Sequence, residues 1–205
     1  MSHFRQLTLA LLAPIAVVAV LPAPAQAQFS DSYKFLDAVR KKEGDKVTDL
    51  LDKSGPNLIN TKDQTSGDTA LHVVTQRRDI TWMSFLIGKG SNVNARNFKG
   101  ETALVIACNL NWIEGVELLV EVGAKVDEPN STGETPLITS VHNRNVGLIR
   151  ILLKAGADPD RTDNSGRSAR DYARLDPKAE ALLREIDTNA KAKLKPGQGD
   201  RKSVV

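Results

Sequence analysis

Four glycines in the middle of the chain stand 33 residues apart, and no other feature limits the possible folds as much. They are Gly67, Gly100, Gly133 and Gly166. A hydroxyl side chain follows two residues after each of them, at Thr69, Thr102, Thr135 and Ser168. A second glycine series keeps the same spacing, at Gly90, Gly123 and Gly156. Several positions that agree in phase over four copies indicate an array of structural repeats.

Each copy has the pattern of two short helices. The first glycine suits a turn, where a left-handed backbone costs glycine little. The hydroxyl residue can cap a helix by accepting a backbone N–H bond, and Pro136, directly after Thr135, suits a first helical turn. A second apolar stretch with helical spacing follows, for example Ile113, Val116 and Leu119, and the second glycine ends it.

Four segments carry a resemblance to a known family: GDTALH (67–72), GETALVIA (100–107), GETPLITS (133–140) and GRSARDYA (166–173). In these segments and in its 33-residue period the chain resembles the ankyrin-repeat family. The resemblance implies an all-α solenoid of stacked helix-turn-helix units with short hairpin-like connections. It also implies a module that binds another protein and is not an enzyme.

The repeat phase divides the chain into repeats and caps. Residues 64–96, 97–129 and 130–162 are predicted to form three ankyrin repeats. Residues 28–63 lack the glycine-threonine start and are predicted to form a degenerate N-terminal capping repeat. Residues 163–187 carry Arg170 where the other repeats have leucine, and a polar outer face suits a C-terminal capping repeat.

Residues 1–27 have the layout of a secretory signal peptide. Arg5 precedes an apolar stretch, residues 7–21, and Ala25-Gln26-Ala27 forms a cleavage site before Gln28. A retained membrane anchor is the alternative, but the apolar stretch is shorter than the roughly 20 residues that a spanning helix needs. Removal of the segment leaves no membrane span. Because Cys108 is the only cysteine, no internal disulfide can form, which favours a bacterial periplasm over secretion.

Residues 188–205 form a basic segment with five Lys or Arg residues against one Asp. It has almost no apolar periodicity, so we expect it to be disordered. Its lysines either keep the chain soluble or tether it to an acidic polymer or lipid of the cell envelope. The segment has no aromatic residue that could stack on bases, and the formal net charge of the chain is only +3, so no nucleic-acid partner is expected.

The sequence offers no set of residues that indicates catalysis, a metal or a cofactor. After the predicted signal peptide only His72 and His142 remain, and Cys108 lies in an apolar helix, where a small buried side chain is expected. No nucleophile, phosphate-loop or dinucleotide motif is present. An enzyme with an unrecognised site is the minor alternative.

In the ankyrin family the hairpin tips and the concave face of the first helices contact partners, and the glycine phase carries this role onto each repeat. The corresponding positions are Thr65, Ser66, Asp68, Gln76 and Arg77 in the first repeat, Phe98, Lys99, Glu101, Asn109 and Leu110 in the second, and Ser131, Thr132, Glu134, His142 and Asn143 in the third. Phe98 and Leu110 are apolar where a solvated surface would be polar, although Phe98 could instead fold onto its own hairpin. His142 could equally be a solvated side chain without a partner.

The remaining marked positions are expected to be structural. The resemblance implies this role for the turn glycines, the helix-capping threonines, Pro136 and His72, whose imidazole would tie adjacent loops together. Trp82 and Trp112 fall on second helices, where core or edge packing is expected. The partner is expected to be a protein, and the chain a monomer.

Overall fold

The computed structural model describes residues 30–176 and 180–191, so the predicted signal peptide and residues 192–205 lie outside the described residues. Ten α-helices occur in the described part of the chain. They come in pairs: α1 (Asp31–Lys41) and α2 (Gly44–Ser54), α3 (Ala70–Gln76) and α4 (Ile80–Gly88), α5 (Ala103–Asn109) and α6 (Ile113–Glu121), α7 (Pro136–His142) and α8 (Val146–Lys154), α9 (Ala169–Leu175) and α10 (Glu180–Lys191). A short 3₁₀ helix, Pro56–Asn60, follows α2. These residues form no β-strand beyond an isolated bridge between Thr162 and Ser168, which confirms the predicted all-α repeat solenoid.

The odd-numbered helices stack in an inner row and the even-numbered helices in an outer row. Each inner helix packs on the next from α1 to α9, and α4, α6, α8 and α10 pack in succession. Equivalent leucines of both rows are buried between them: Leu71, Leu104 and Leu137 from the inner row, and Leu86, Leu119 and Leu152 from the outer row. The residues that recur every 33 positions therefore build one continuous core.

Hydroxyl side chains start the inner helices of the repeats. Thr102 Oγ1 accepts the N–H of Val105 at 3.3 Å, and Thr135 Oγ1 accepts the N–H of Ile138 at 3.2 Å. Pro136 is the first residue of α7, where its missing N–H is one of those that a helix start leaves unpaired. The short inner helices thus begin at fixed points in each repeat.

A glycine in the left-handed conformation follows each outer helix of the three repeats. Gly123 has φ +86°, and its N–H donates to the carbonyl of Val120 at 3.1 Å. The next N–H, that of Ala124, donates to the carbonyl of Leu119 at 2.9 Å. These two bonds form a Schellman motif, which turns the chain sharply out of α6. Gly90 and Gly156 also have positive φ at the equivalent positions.

Four hairpin tips connect the units at residues 63–68, 97–101, 130–134 and 163–167, named here tip 1 to tip 4. A backbone hydrogen bond of 2.8–3.0 Å closes each tip. Each later tip also donates a backbone N–H to the preceding tip at 3.0–3.1 Å: Phe98 to Ser66, Ser131 to Lys99, and Asn164 to Thr132. The tips therefore form one continuous edge of the solenoid.

The turns between inner and outer helices form the opposite edge. Each has a residue with φ between 53° and 61°, at Lys42, Arg78, Asn111 and Arg144. These side chains contact the following unit. Lys42 Nζ lies 2.8 Å from a carboxylate oxygen of Asp79, and Arg144 Nη2 lies 2.6 Å from one of Asp176. Both edges are thus stapled from one unit to the next.

The C-terminal helix is longer than predicted. α10 continues through Lys191, whereas a disordered segment was expected to begin at Thr188. Ile186 anchors the last turns in the core with no exposed area. Asn189 Nδ2 then donates to the carbonyl and to Oε1 of Glu185, both at 2.9 Å, which continues the helix by one more turn.

Trp112 occupies a different position from the one expected. It precedes α6 as its N-cap residue, whereas Trp82 lies within α4. The Trp112 side chain is only 7 % exposed and lies across Gly115, where an added Cβ would stand 2.2 Å from ring atom Cε3. The core packing expected for this residue therefore depends on a glycine one turn into the helix.

Candidate partner-binding surface

Side-chain amides make the central tips rigid. In tip 2 the Oδ1 atom of Asn97 accepts the N–H groups of Lys99 at 3.0 Å and Glu101 at 2.9 Å. In tip 3 the equivalent atom of Asn130 accepts those of Thr132 and Glu134, both at 3.0 Å. The exposed residues of these tips are therefore presented on fixed backbones.

Phe98 lies at the centre of this edge, on tip 2. Its side chain is 65 % exposed. The ring rests against Gly67 of tip 1, where an added Cβ would stand 2.6 Å from Phe98 Cδ1. Phe98 therefore packs on the neighbouring hairpin, and most of its surface faces solvent.

The other tip positions predicted to contact a partner fall into two groups. Thr65, Lys99, Ser131 and Thr132 are exposed. Ser66, Glu101 and Glu134 are half-buried, because they also support the tips. Glu134 Oε1, for example, lies 3.3 Å from His142 Nδ1.

A row of side chains runs along the concave face at the ends of the inner helices. Gln76, Asn109 and His142 are the last residues of α3, α5 and α7, and all three are exposed. Leu175, the last residue of α9, continues this row and is 64 % exposed. Asn143, the next residue after α7, is exposed but donates from Nδ2 to the carbonyl of Cys108 at 3.0 Å.

Asp68 does not have the accessibility that a partner contact needs. The residue is 9 % exposed. Oδ1 accepts a hydrogen bond from Asn97 Nδ2 at 2.9 Å, and Oδ2 accepts one from Gln76 Nε2 at 3.1 Å. Asp68 thus joins tip 1 to tip 2 and to α3. The prediction of a free tip carboxylate is corrected to a structural link.

Arg77 also faces inward rather than toward the concave surface. Its Nη1 donates to the carbonyl of Val39 at 2.7 Å, and its guanidinium lies 5.5 Å from the centroid of the Trp82 ring. The side chain therefore joins the N-terminal cap to the first repeat. An arginine can do this because its long stem reaches the exposed C-terminal carbonyls of α1.

Leu110 is half-buried against the core and is not an exposed apolar contact. It is the C-cap residue of α5, and its carbonyl accepts a hydrogen bond from Arg78 of the preceding unit. The repeat phase located Leu110 at the turn, but the side chain folds back under the solenoid. Phe98 is left as the exposed apolar residue of the second repeat's predicted set.

His72 is a buried link between repeats. Its Nδ1 accepts the N–H of Thr69 at 3.1 Å, and its Nε2 lies 3.0 Å from the carbonyl oxygen of Glu101 in tip 2. These contacts fit a neutral imidazole that donates from Nε2. Burial lowers the pKa of His72 below its ordinary value, which keeps the ring neutral.

Two residues of the C-terminal cap belong to the concave surface and were missed in the sequence. Tyr172 stacks edge-on with His142, with ring centroids 4.4 Å apart, and its hydroxyl donates to Asp163 Oδ2 at 2.6 Å. Leu175 stands beside it on a cleft of about 650 Å³. Although burial acts to raise it, hydrogen bonds from Tyr172 and Ser165 hold the pKa of Asp163 well below its usual range. The signal was their position, 33 residues after Thr139 and His142.

The described residues hold no arrangement that indicates catalysis. Cys108 is fully buried, and burial raises the pKa of its thiol to about 12, so a thiolate nucleophile is not available there. Within residues 30–176 and 180–191, no three His, Cys, Asp or Glu side chains are grouped as a metal site would require. No helix in the same ranges has the length and apolar character needed to cross a membrane.

Stacked two-helix units, hairpin tips and a concave row of variable side chains define a class of helical repeat proteins that present a binding surface. Comparison with protein families assigns residues 35–130 to ankyrin repeats in a three-copy arrangement, and residues 119–173 to ankyrin repeats in a many-copy arrangement. The chain therefore belongs to the ankyrin-repeat family. A search of curated proteins found no match. Ankyrin repeats are generally protein–protein interaction modules and typically are not enzymes.

Proposed function

We propose that this chain is an exported, non-catalytic protein that binds a partner protein through its tips and concave row. The concave row comprises Gln76, Asn109, His142 and Leu175. The observation that carries the proposal is the exposed ring of Phe98 on a hydrogen-bonded tip. A large apolar side chain that is held in place loses little freedom on binding and is a frequent energetic centre of an interface.

The geometry favours a partner that spans several units. Phe98 lies on tip 2, while the concave row extends to His142 and Leu175 at the C-terminal end. Adjacent tips are joined backbone to backbone, so the surface is continuous over these units. We therefore expect the partner to contact at least tip 2 and tip 3 together.

The location is proposed from the sequence. Residues 1–27 have the signal-peptide layout, and the single cysteine suits a periplasm. The partner would then be another protein of the cell envelope, and the bound state a complex with one copy of this chain.

The test is site-specific photocrosslinking in cells that express the full chain. Benzoylphenylalanine is placed at Phe98 and, as a control, at Ile113, an apolar residue of the outer row that is 38 % exposed. We expect one protein to crosslink at position 98 and none at 113. Mass spectrometry identifies it.

The affinity of that protein for the Phe98→Ala variant then decides the role of the ring. Loss of a central anchor commonly costs about 2 kcal/mol or more, which is about thirtyfold in Kd. Thermal unfolding should change little, because most of the ring is exposed. Crosslinks at 113 but not at 98, or an unchanged Kd in calorimetry, would contradict the proposal.

A further inference from the structure

The last helix of the solenoid is attached differently from the others. The inner helix α5 buries six consecutive residues, Ala103–Cys108. α10 contributes two buried apolar side chains, Leu182 and Ile186, with Leu183 half-buried beside them. It packs on α8 and α9 and has no following unit among the described residues. The apolar attachment of α10 is therefore small for a helix of its length.

Arginine–carboxylate pairs supplement this attachment. Arg150 of α8 binds Glu185 of α10 in a bidentate manner, with Nε–Oε1 at 2.7 Å and Nη2–Oε2 at 3.0 Å. Arg170 of α9 binds Asp187 of α10 and also holds Asp160 at 2.7 Å. The hydrogen bond from Arg150 lowers the pKa of the Glu185 carboxyl from its ordinary value, as expected for a formed pair.

These pairs are open to salt. Arg150 has half of its side chain exposed, and Asp187 is 44 % exposed. Dissolved ions screen partly exposed charges within about 10 Å at 0.1 M and more strongly above that concentration. The central inner helix α5 has no charged side chain of its own and therefore depends far less on ionic strength.

We propose that α10 is a salt-releasable latch, which undocks from α8 and α9 as a unit while the three repeats stay folded. The inference is independent of the partner and of the binding surface. It follows from a helix at the end of an array, where local opening costs least, combined with attachment through two arginine-centred pairs. Release would uncover the side of α8 that α10 now covers.

Hydrogen–deuterium exchange of the full chain, read by mass spectrometry, tests this at two salt concentrations. An exposed pair contributes about threefold to an equilibrium constant, so screening two pairs should speed exchange of the α10 amides about tenfold. The change of salt runs from about 20 mM to about 500 mM NaCl, which shortens the screening length several-fold. The α5 amides should change less than about twofold, because no ion pair holds them.

Two charge-matched variants separate the latch from general salt effects. Arg150→Gln removes the bidentate pair to Glu185, so α10 should exchange faster at low salt and respond less to added salt. Arg184→Gln is the control, because Arg184 pairs only with Glu180 within α10 itself, at 3.1 Å. It should leave both the rate and the salt response near those of the unchanged chain.

Two results would overturn the latch. One is exchange of α10 at the same rate and with the same salt response as α5, which means that the array opens as a whole. The other is an equal salt response in Arg150→Gln and Arg184→Gln. The wild-type salt series stands by itself if Arg150→Gln does not fold.

Discussion

Replacing Gly115 by alanine should destabilise the protein, although alanine is the better helix former. Gly115 lies within α6, where glycine is ordinarily about 1 kcal/mol less favourable than alanine. An alanine Cβ would however stand 2.2, 2.5 and 2.6 Å from three ring atoms of Trp112. Real side chains do not approach so closely, so the indole ring or the helix has to move.

The size of the effect follows from the burial of Trp112. The residue is 7 % exposed, so its ring has little free space into which to move. Forcing an extra carbon into a packed site typically costs about 1–3 kcal/mol. Set against a propensity gain of about 1 kcal/mol, the net change should be a loss of up to about 2 kcal/mol.

Gly88 is the matched control. It ends α4, and no atom lies within 4 Å of the position of an added Cβ. Gly88→Ala should therefore be neutral or stabilising by up to about 1 kcal/mol. Equilibrium urea unfolding, followed by far-UV circular dichroism, measures both variants.

A double variant tests the cause. Trp112→Leu should remove most of the penalty of Gly115→Ala, since the clash requires the indole ring. If Gly115→Ala is as stable as Gly88→Ala, the packing of Trp112 on α6 is not as described and the reasoning fails.

Three further predictions concern the turns and the N-terminus. Gly100→Ala should cost more than Gly166→Ala: both have positive φ, but an added Cβ at Gly100 would stand 2.8 Å from the backbone nitrogen of Ser131, whereas Gly166 has no atom within 4 Å. Thermal unfolding should separate them by about 1 kcal/mol or more. A hydrogen bond from Arg40 lowers the pKa of Asp63 to about 2, so this carboxylate stabilises the fold above pH 4 and loses that effect as pH falls toward 2. Asp63→Asn should cost about 1 kcal/mol at pH 7, after allowance for solvent screening, and flatten urea unfolding between pH 4 and 2. Mass spectrometry of exported protein should find Gln28 as the first residue, and an intact Met1 would contradict the signal peptide.

The repeat phase could be predicted from the sequence because it depends on local backbone chemistry. A left-handed glycine and a hydroxyl cap act within a few residues of themselves, so their spacing alone located helices α3 to α9. Phase also located the tips. It could not assign the partners of long side chains, which depend on the neighbouring unit.

Arg77 and Leu110 show this limit. Both lie at the turn that phase assigned to them, one residue after an inner helix. Arg77 binds the carbonyl of Val39, which belongs to a cap whose sequence departs from the repeat pattern. No rule based on a 33-residue spacing could reveal that contact. Tyr172 and Leu175 were missed for the opposite reason, because the weak match of the last unit hid positions that follow the phase.

Arg170 shows how the array ends. It occupies the position of Leu71, Leu104 and Leu137, which are fully buried or nearly so. The last inner helix has no following unit among the described residues to bury a leucine from that side. The arginine stem packs there with 15 % of the side chain exposed, and the guanidinium reaches Asp160 and Asp187.

The comparison of two substitutions at Arg170 tests this account. Arg170→Leu loses the ion pairs but gains apolar packing, and exchanges of this kind commonly change stability by little, so we expect a difference within about 1 kcal/mol. Arg170→Ala loses both the pairs and the packing of the stem and should cost about 1–2 kcal/mol more. Urea unfolding at low and high NaCl measures both, and only the wild-type protein should keep the full salt dependence of the C-terminal cap. If leucine costs as much as alanine, the site cannot accommodate the side chain that the other repeats bury, and the arginine is there for its charge alone.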